Sequence, residues 1–179
     1  MSRNDIKDKH ERYIVDEFIR YWEDQNHEHF QVVERPDPPE AIVESLHRRT
    51  WIEVGTVYAS DAWAQDLHSY ANPDEEHRPM PPGRHFKMDQ TFAERFVNVL
   101  QDKLTKKSYA AAFTALGPGV LLLDTKTPWF GGDTWDMMLN ECRKVDWSAS
   151  TGYFRQVFIA FRHMNTTAFE EWKECPTSR

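Results

Sequence analysis

Glu34-Arg35-Pro36-Asp37-Pro38-Pro39-Glu40-Ala41-Ile42-Val43, followed after a basic turn by Thr50-Trp51-Ile52-Glu53-Val54, is the stretch that decides the fold. The β-branched and aromatic residues of Ala41–Glu44 and Thr50–Val54 suit extended backbone, and the polar turn at His47-Arg48-Arg49 folds one segment back on the other as a hairpin. The proline cluster ends or kinks the strand read over Phe30–Glu34, because proline donates no ladder hydrogen bond. Asp37, Glu40 and Glu53 thus converge in a chain region otherwise built for burial. Crowded or buried carboxylates cost several kcal/mol unless a cation or donor compensates them, and a divalent metal is the simplest compensation.

Outward from the hairpin, the pattern is alternating. His10–Asp24 carries Ile14, Phe18, Tyr21 and Trp22 at helical spacing. Ser60 or Asp61 caps a helix bearing Trp63, Leu67 and Tyr70, closed by Asn72-Pro73. A proline-rich stretch, 72–87, reads as a long loop with His77 and His85 in it. Asp89 is expected to cap an amphipathic helix through Phe92, Phe96, Val99, Leu100 and Leu104, with a possible continuation to Leu116. Gly117-Pro118-Gly119 stops it, and Val120-Leu121-Leu122-Leu123 has the continuous apolar character of a strand covered on both faces. Asp133–Arg143 reads as a helix, Phe154–Phe161 as a strand and Thr166–Lys173 as a final turn of helix. The expected architecture is a single α/β domain over 1–179: a three-layer sandwich with a central mixed sheet, a core at about 10–125 and an extension at 126–179.

Composition narrows the function classes. At 179 residues, 40% hydrophobic and 13% aromatic, the chain is long and apolar enough to bury its own core. A net charge of −7 argues mildly against a polyanion partner, although local basic patches or a metal reverse the sign where it matters. Cys142 and Cys175 form no metal-binding or disulfide framework, and no stretch has the length of a membrane span or signal core, so a cytoplasmic protein without a membrane partner is expected. Glu40 at the head of one strand and Glu53 within its partner can share one ion, since neighbouring strands lie about 5 Å apart. Hard oxygen donors favour Mg²⁺ or Mn²⁺, whose natural use is phosphodiester hydrolysis.

The run Pro36-Asp37-Pro38-Pro39-Glu40-Ala41-Ile42-Val43, then Trp51-Ile52-Glu53-Val54, resembles the PD-(D/E)XK, or restriction-endonuclease-like, nuclease superfamily. That resemblance implies an αβββαβ core of a helix, three strands, a helix and a further strand, with Asp37 or Glu40, and Glu53, as metal ligands. An acid of the first helix often assists, here Glu11 or Glu17. Gly55 stands where the family places its lysine. The resemblance then implies a replacement from the following helix, where Gln65 and His68 share a face with Asp61. Lys87 and Lys126 are more remote alternatives. Gln65–Tyr70 weakly resembles the glutamine and tyrosine motif of RecB-like nucleases. The implied activity is metal-dependent cleavage of DNA; the alternative is a catalytically silent binding or assembly module of the same fold.

Two other groupings have functional and structural interpretations. Lys103, Lys106 and Lys107, with Arg48 and Arg49, either contact a phosphate backbone or form a solvated face. Trp129, Phe130, Trp135 and Trp147 form a base-stacking platform, a core or a homodimer interface.

Overall fold

The structure, a computed structural model, describes residues 3–81, 87–163 and 166–174. Its elements are α1 (Arg3–Asn26), β1 (Gln31–Glu34), β2 (Ala41–Glu44), β3 (Arg49–Tyr58), α2 (Asp61–Ala71), α3 (Met88–Thr105), α4 (Ala110–Leu116), β4 (Gly119–Lys126), α5 (Gly132–Cys142), β5 (Phe154–His163) and β6 (Thr166–Glu171). The six strands form one mixed sheet in the order β1-β2-β3-β4-β5-β6. β1, β2 and β3 form an antiparallel meander, β3, β4 and β5 run parallel, and β6 returns antiparallel to β5. The α/β expectation is met at the level of a six-stranded mixed sheet with helices.

Alternation along the strands splits the core between the two faces. On one, Ile14, Val15, Phe18 and Trp22 of α1 pack on Val43, Ile52, Val54, Val120 and Leu122. On the other, Phe92, Phe96 and Leu100 of α3 and Met138 of α5 pack on Trp51, Val57, Leu121, Leu123 and Val157. β4 is buried along nearly its whole length, as its unbroken apolar run requires of a strand covered on both faces. Gly119 permits one close approach. A Cβ there would lie 2.4 Å from the ring of Trp51, whose indole Nε1 donates to the carbonyl of Gly117 at 2.9 Å. The aromatic group Trp129, Phe130, Trp135 and Trp147 lies half-buried against the α3–α5 core.

Several elements differ from their sequence patterns. α1 begins at Arg3, about two turns earlier than His10. Lys87, not Asp89, is the N-cap of α3, and the Asp89 carboxylate instead accepts from Thr134 Oγ1 at 2.5 Å, tying α3 to α5. α3 stops at Thr105; a single 3₁₀ turn, Lys107–Tyr109, separates it from α4. The largest correction is at 166–171, where β6 replaces the expected helix. Thr166, Thr167 and Phe169 suit a strand, and the open edge of β5 supplies the ladder partners that local propensity ignored. His85 and Cys175 lie outside the described residues.

Candidate active site

The register of β2 and β3 builds the site. Ala41 pairs with Ile52, so the residues one step further out, Glu40 and Glu53, oppose each other at the mouth of the hairpin. Glu53 follows Trp51 on the α3 face of β3 and is 3% exposed. Two donors hold one of its oxygens: Lys103 Nζ of α3 donates to Oε1 at 2.6 Å, and the Tyr109 hydroxyl donates to it at 3.0 Å. The ammonium also donates to the carbonyl of Val54 at 2.9 Å. The other oxygen, Glu53 Oε2, is buried and makes no hydrogen bond to any described residue. Such an orphaned carboxylate oxygen is expensive in a protein interior and is the atom an added cation or donor would satisfy.

Two further carboxyls lie within electrostatic reach of Glu53. Glu11 continues the buried stripe of α1 one turn before Ile14; it is 5% exposed and pairs with Lys7 Nζ at 3.2 Å. Burial pushes its pKa up, partly offset by Lys7 and Lys103, with Glu53 adding to the rise. Glu40 is pushed from its ordinary 4.5 to about 7, first by burial and then by the charges of Glu11 and Glu53. Burial would lower the Lys7 ammonium, yet Glu11, Glu40 and Asp37 outweigh it and its pKa is raised. The Tyr109 phenol is raised by burial and by Glu53. Carboxyls driven toward neutrality around one unpartnered oxygen describe a site short of positive charge.

Gly55, the departure from the nuclease pattern, has a packing explanation. A Cβ there would lie 2.9 Å from Leu123 Cδ2, 3.2 Å from Lys103 Cε and 3.4 Å from Val99 Cγ1. The stem of Lys103 thus occupies the space that a side chain at position 55 would need. A lysine does stand beside Glu53, delivered by α3 instead of by its own strand.

Of the residues singled out from sequence, the structure brings Glu40 and Glu53 together. Asp37 is exposed just outside, where its charge reaches Lys7 and Glu40. Gln65 and His68 lie elsewhere. His68 Nε2 is 3.1 Å from the hydroxyl of Tyr58, five residues along β3 from Glu53, or about 17 Å at the rise of a strand. Gln65 is exposed and lines a separate cleft with Asp61 and Asn72. Glu17 pairs with Arg20 on the outside of α1, and Lys126 pairs with Asp124 at 3.0 Å. Lys103, grouped by sequence with a basic face, is the cation of the site. Arg48 instead lies over the rings of Trp22 and Phe30, and Arg49 pairs with Glu34. His77 contacts Asp66 at 2.9 Å in the loop.

Among the described residues, no group of three or more His, Cys, Asp and Glu side chains has the spacing of a metal site. Mg²⁺ needs fewer protein ligands, typically one or two carboxylates, with waters and substrate phosphate completing the shell. Glu40 and the unpartnered oxygen of Glu53 meet that smaller requirement. No family model, curated protein or solved structure matches the chain. No helix among the described residues is long and apolar enough to cross a membrane.

Proposed function

We propose that the protein is a metal-dependent phosphodiesterase of the nuclease type acting on DNA, with Glu53 and Glu40 as ligands for Mg²⁺ or Mn²⁺ and Asp37 at the margin. The observation that carries this is Glu53: buried, held through one oxygen by Lys103 and Tyr109, and unpartnered at the other beside two carboxyls. The order of one helix, three meandering strands, intervening helices and a parallel fourth strand supports a restriction-endonuclease-like core.

When bound, a divalent cation supplies the charge neutralisation that an in-line phosphoryl displacement requires. The chain's own residues do the rest. Tyr109 and Lys103 fix the Glu53 carboxylate, so its free oxygen is preorganised and not mobile. The Lys103 ammonium places a permanent positive charge where a phosphate approaching Glu53 would gather negative charge. Glu40, titrating near neutrality, gives up its proton as positive charge arrives. Water oxygen forms the new bond to phosphorus as the ester P–O bond breaks; the water's proton passes to solvent, and the departing oxygen takes a proton from solvent.

Glu53→Ala is expected to abolish Mn²⁺-dependent nicking of plasmid DNA, and Lys103→Met to slow it by about 10²-fold, the usual loss for one electrostatic stabiliser. Cleavage that survives Glu53→Ala unchanged refutes the assignment.

A silent binding module of the same fold is the second reading, favoured by the Lys103–Glu53 ion pair, which already half-neutralises the carboxylate. Calorimetric titration with Mn²⁺ separates the two. Heat of binding that disappears in Glu53→Gln supports the enzyme, and its absence in the unaltered protein supports the module.

A further inference from the structure

The largest concentration of unassigned chemistry lies on the α1 face, at the carboxyl ends of the parallel strands β3, β4 and β5. A cavity of about 690 Å³ opens there between α1, α2 and the strand ends. Its size falls within the range of small-molecule sites, and the carboxyl ends of strands in an open α/β sheet are where such ligands commonly bind. Its walls reverse the charge of the chain. Among the described residues that line it, Lys7, Lys9, Lys126 and Arg162 stand with one carboxylate, Asp124, in a protein whose acidic residues outnumber its basic ones by 29 to 22, although Lys7 also pairs with Glu11 outside the lining. Asp124 is itself buried, and its Oδ2 is already occupied by His10 Nε2 at 2.6 Å and Lys126 Nζ at 3.0 Å. It therefore acts as an anchor that fixes the Lys126 ammonium and the His10 ring.

The remaining lining includes the aromatic residues Tyr13, Tyr58, Trp63 and Phe161, the last two also packed against the α3–α5 core. Trp63 Nε1 is buried without a hydrogen-bond partner among the described residues, so the ring is placed for its apolar face and not for its donor. Thr56 and Thr167 add hydroxyls near the strand ends, whereas Thr125 Oγ1 donates to the carbonyl of Ala160 at 2.8 Å and Thr166 Oγ1 to that of His163 at 3.1 Å. An anchored cationic side paired with an aromatic side selects a ligand that is anionic at one end and planar at the other.

We propose that this cavity binds a 5′-phosphorylated nucleoside, with the phosphate at Lys126, His10 and Arg162 and the base against the aromatic wall. The unit is either a free nucleotide or the 5′ end of a DNA strand, which present the same chemistry. The site does not depend on the acids around Glu53. It lies on the other face of the sheet, at Thr56 and Tyr58, about 10 to 17 Å along β3 from Glu53 at the rise of a strand. Lys7 touches both regions, since it also pairs with Glu11.

Calorimetric titration of the full chain with dAMP, without metal, tests the proposal. dAMP is expected to bind at least tenfold more tightly than deoxyadenosine or inorganic phosphate, and Lys126→Gln and Arg162→Gln are each expected to weaken it several-fold, Arg162→Gln with an unchanged melting temperature and Lys126→Gln with a lower one, because the buried Asp124 loses a partner. A 5′-phosphorylated single-stranded dodecamer binding much more tightly than dAMP, with its unphosphorylated counterpart failing, identifies the strand end as the source. Equal binding of dAMP and the dodecamer identifies the free nucleotide. Absence of binding by both, binding that ignores Lys126→Gln and Arg162→Gln, or a preference for decanoate over dAMP overturns it. Glu53→Gln should leave dAMP binding intact, so loss of cleavage and loss of this site are read separately.

Discussion

Replacing Lys103 with methionine removes the ammonium from Glu53 while keeping most of the stem that fills the space beside Gly55. Glu53 is then a buried carboxylate with one hydroxyl donor, from Tyr109, and no cation in contact. Breaking a buried ion pair from one side costs about 3–5 kcal/mol, and because Lys103 retains 17% exposure the lower end, about 3 kcal/mol, applies. For a chain of this length that corresponds to a fall of roughly 6–12 °C in melting temperature. Glu53→Gln should cost less, about 1–2 kcal/mol, since an amide still accepts from Tyr109 and the ammonium left behind is the more exposed partner and keeps the carbonyl of Val54. Together the two changes should cost at least about 1 kcal/mol less than their sum, because the penalty of the first is the stranded charge that the second removes. Urea unfolding followed by tryptophan fluorescence measures all four corners of the cycle. Additivity within about 0.5 kcal/mol would show that the pair is not coupled and would remove the basis for placing Lys103 in the site.

Two more outcomes follow from the same geometry. Glu40 carries a folded pKa of about 7, above its ordinary 4.5, so the folded state holds that proton more tightly than the unfolded chain. Its contribution to stability is full below about pH 4.5 and is lost as pH rises through 7. At about 1.4 kcal/mol per pKa unit, Glu40→Gln should gain roughly 2 kcal/mol on the unaltered protein between pH 5 and pH 8, and a pH-independent difference in urea stability contradicts the crowding of the acids. Gly55→Ala, despite the entropic advantage of losing a glycine, should destabilise by about 1 kcal/mol, because the new methyl presses on Leu123 and on the stem of Lys103. Thermal denaturation checks this, and a stabilised variant would show that the lysine stem yields freely.

Glu53 was legible because a carboxylate between Ile52 and Val54 breaks a strongly β-forming run, and the paired position of Glu40 follows once the two runs are read as a hairpin. Lys103 was not, although the signal was present. It sits at helical spacing from Phe96, Val99 and Leu100, on the buried stripe of α3 and not opposite it. A lysine on an apolar stripe and a glycine inside a buried strand are each minor anomalies, and neither specifies the other until the fold brings the two segments together. Glu11 shows the same blind spot: its spacing from Ile14 and Phe18 places it on the buried face of α1, yet a single charge on a charged helix looks solvated. The Asp124–His10 contact spans 114 positions and has no local signature at all. β6 was missed for a related reason, since Glu170 and Glu171 favour helix locally while the unsatisfied edge of β5 decides for strand. Sequence periodicity reports which face of an element is buried; which partner waits there is a property of the assembled sheet. The misplaced lysine makes the point most sharply. A search confined to the strand that carries Glu53 finds only Gly55 and infers a defective site, whereas the absence of a side chain at 55 is what allows α3 to deliver the ammonium to the same carboxylate.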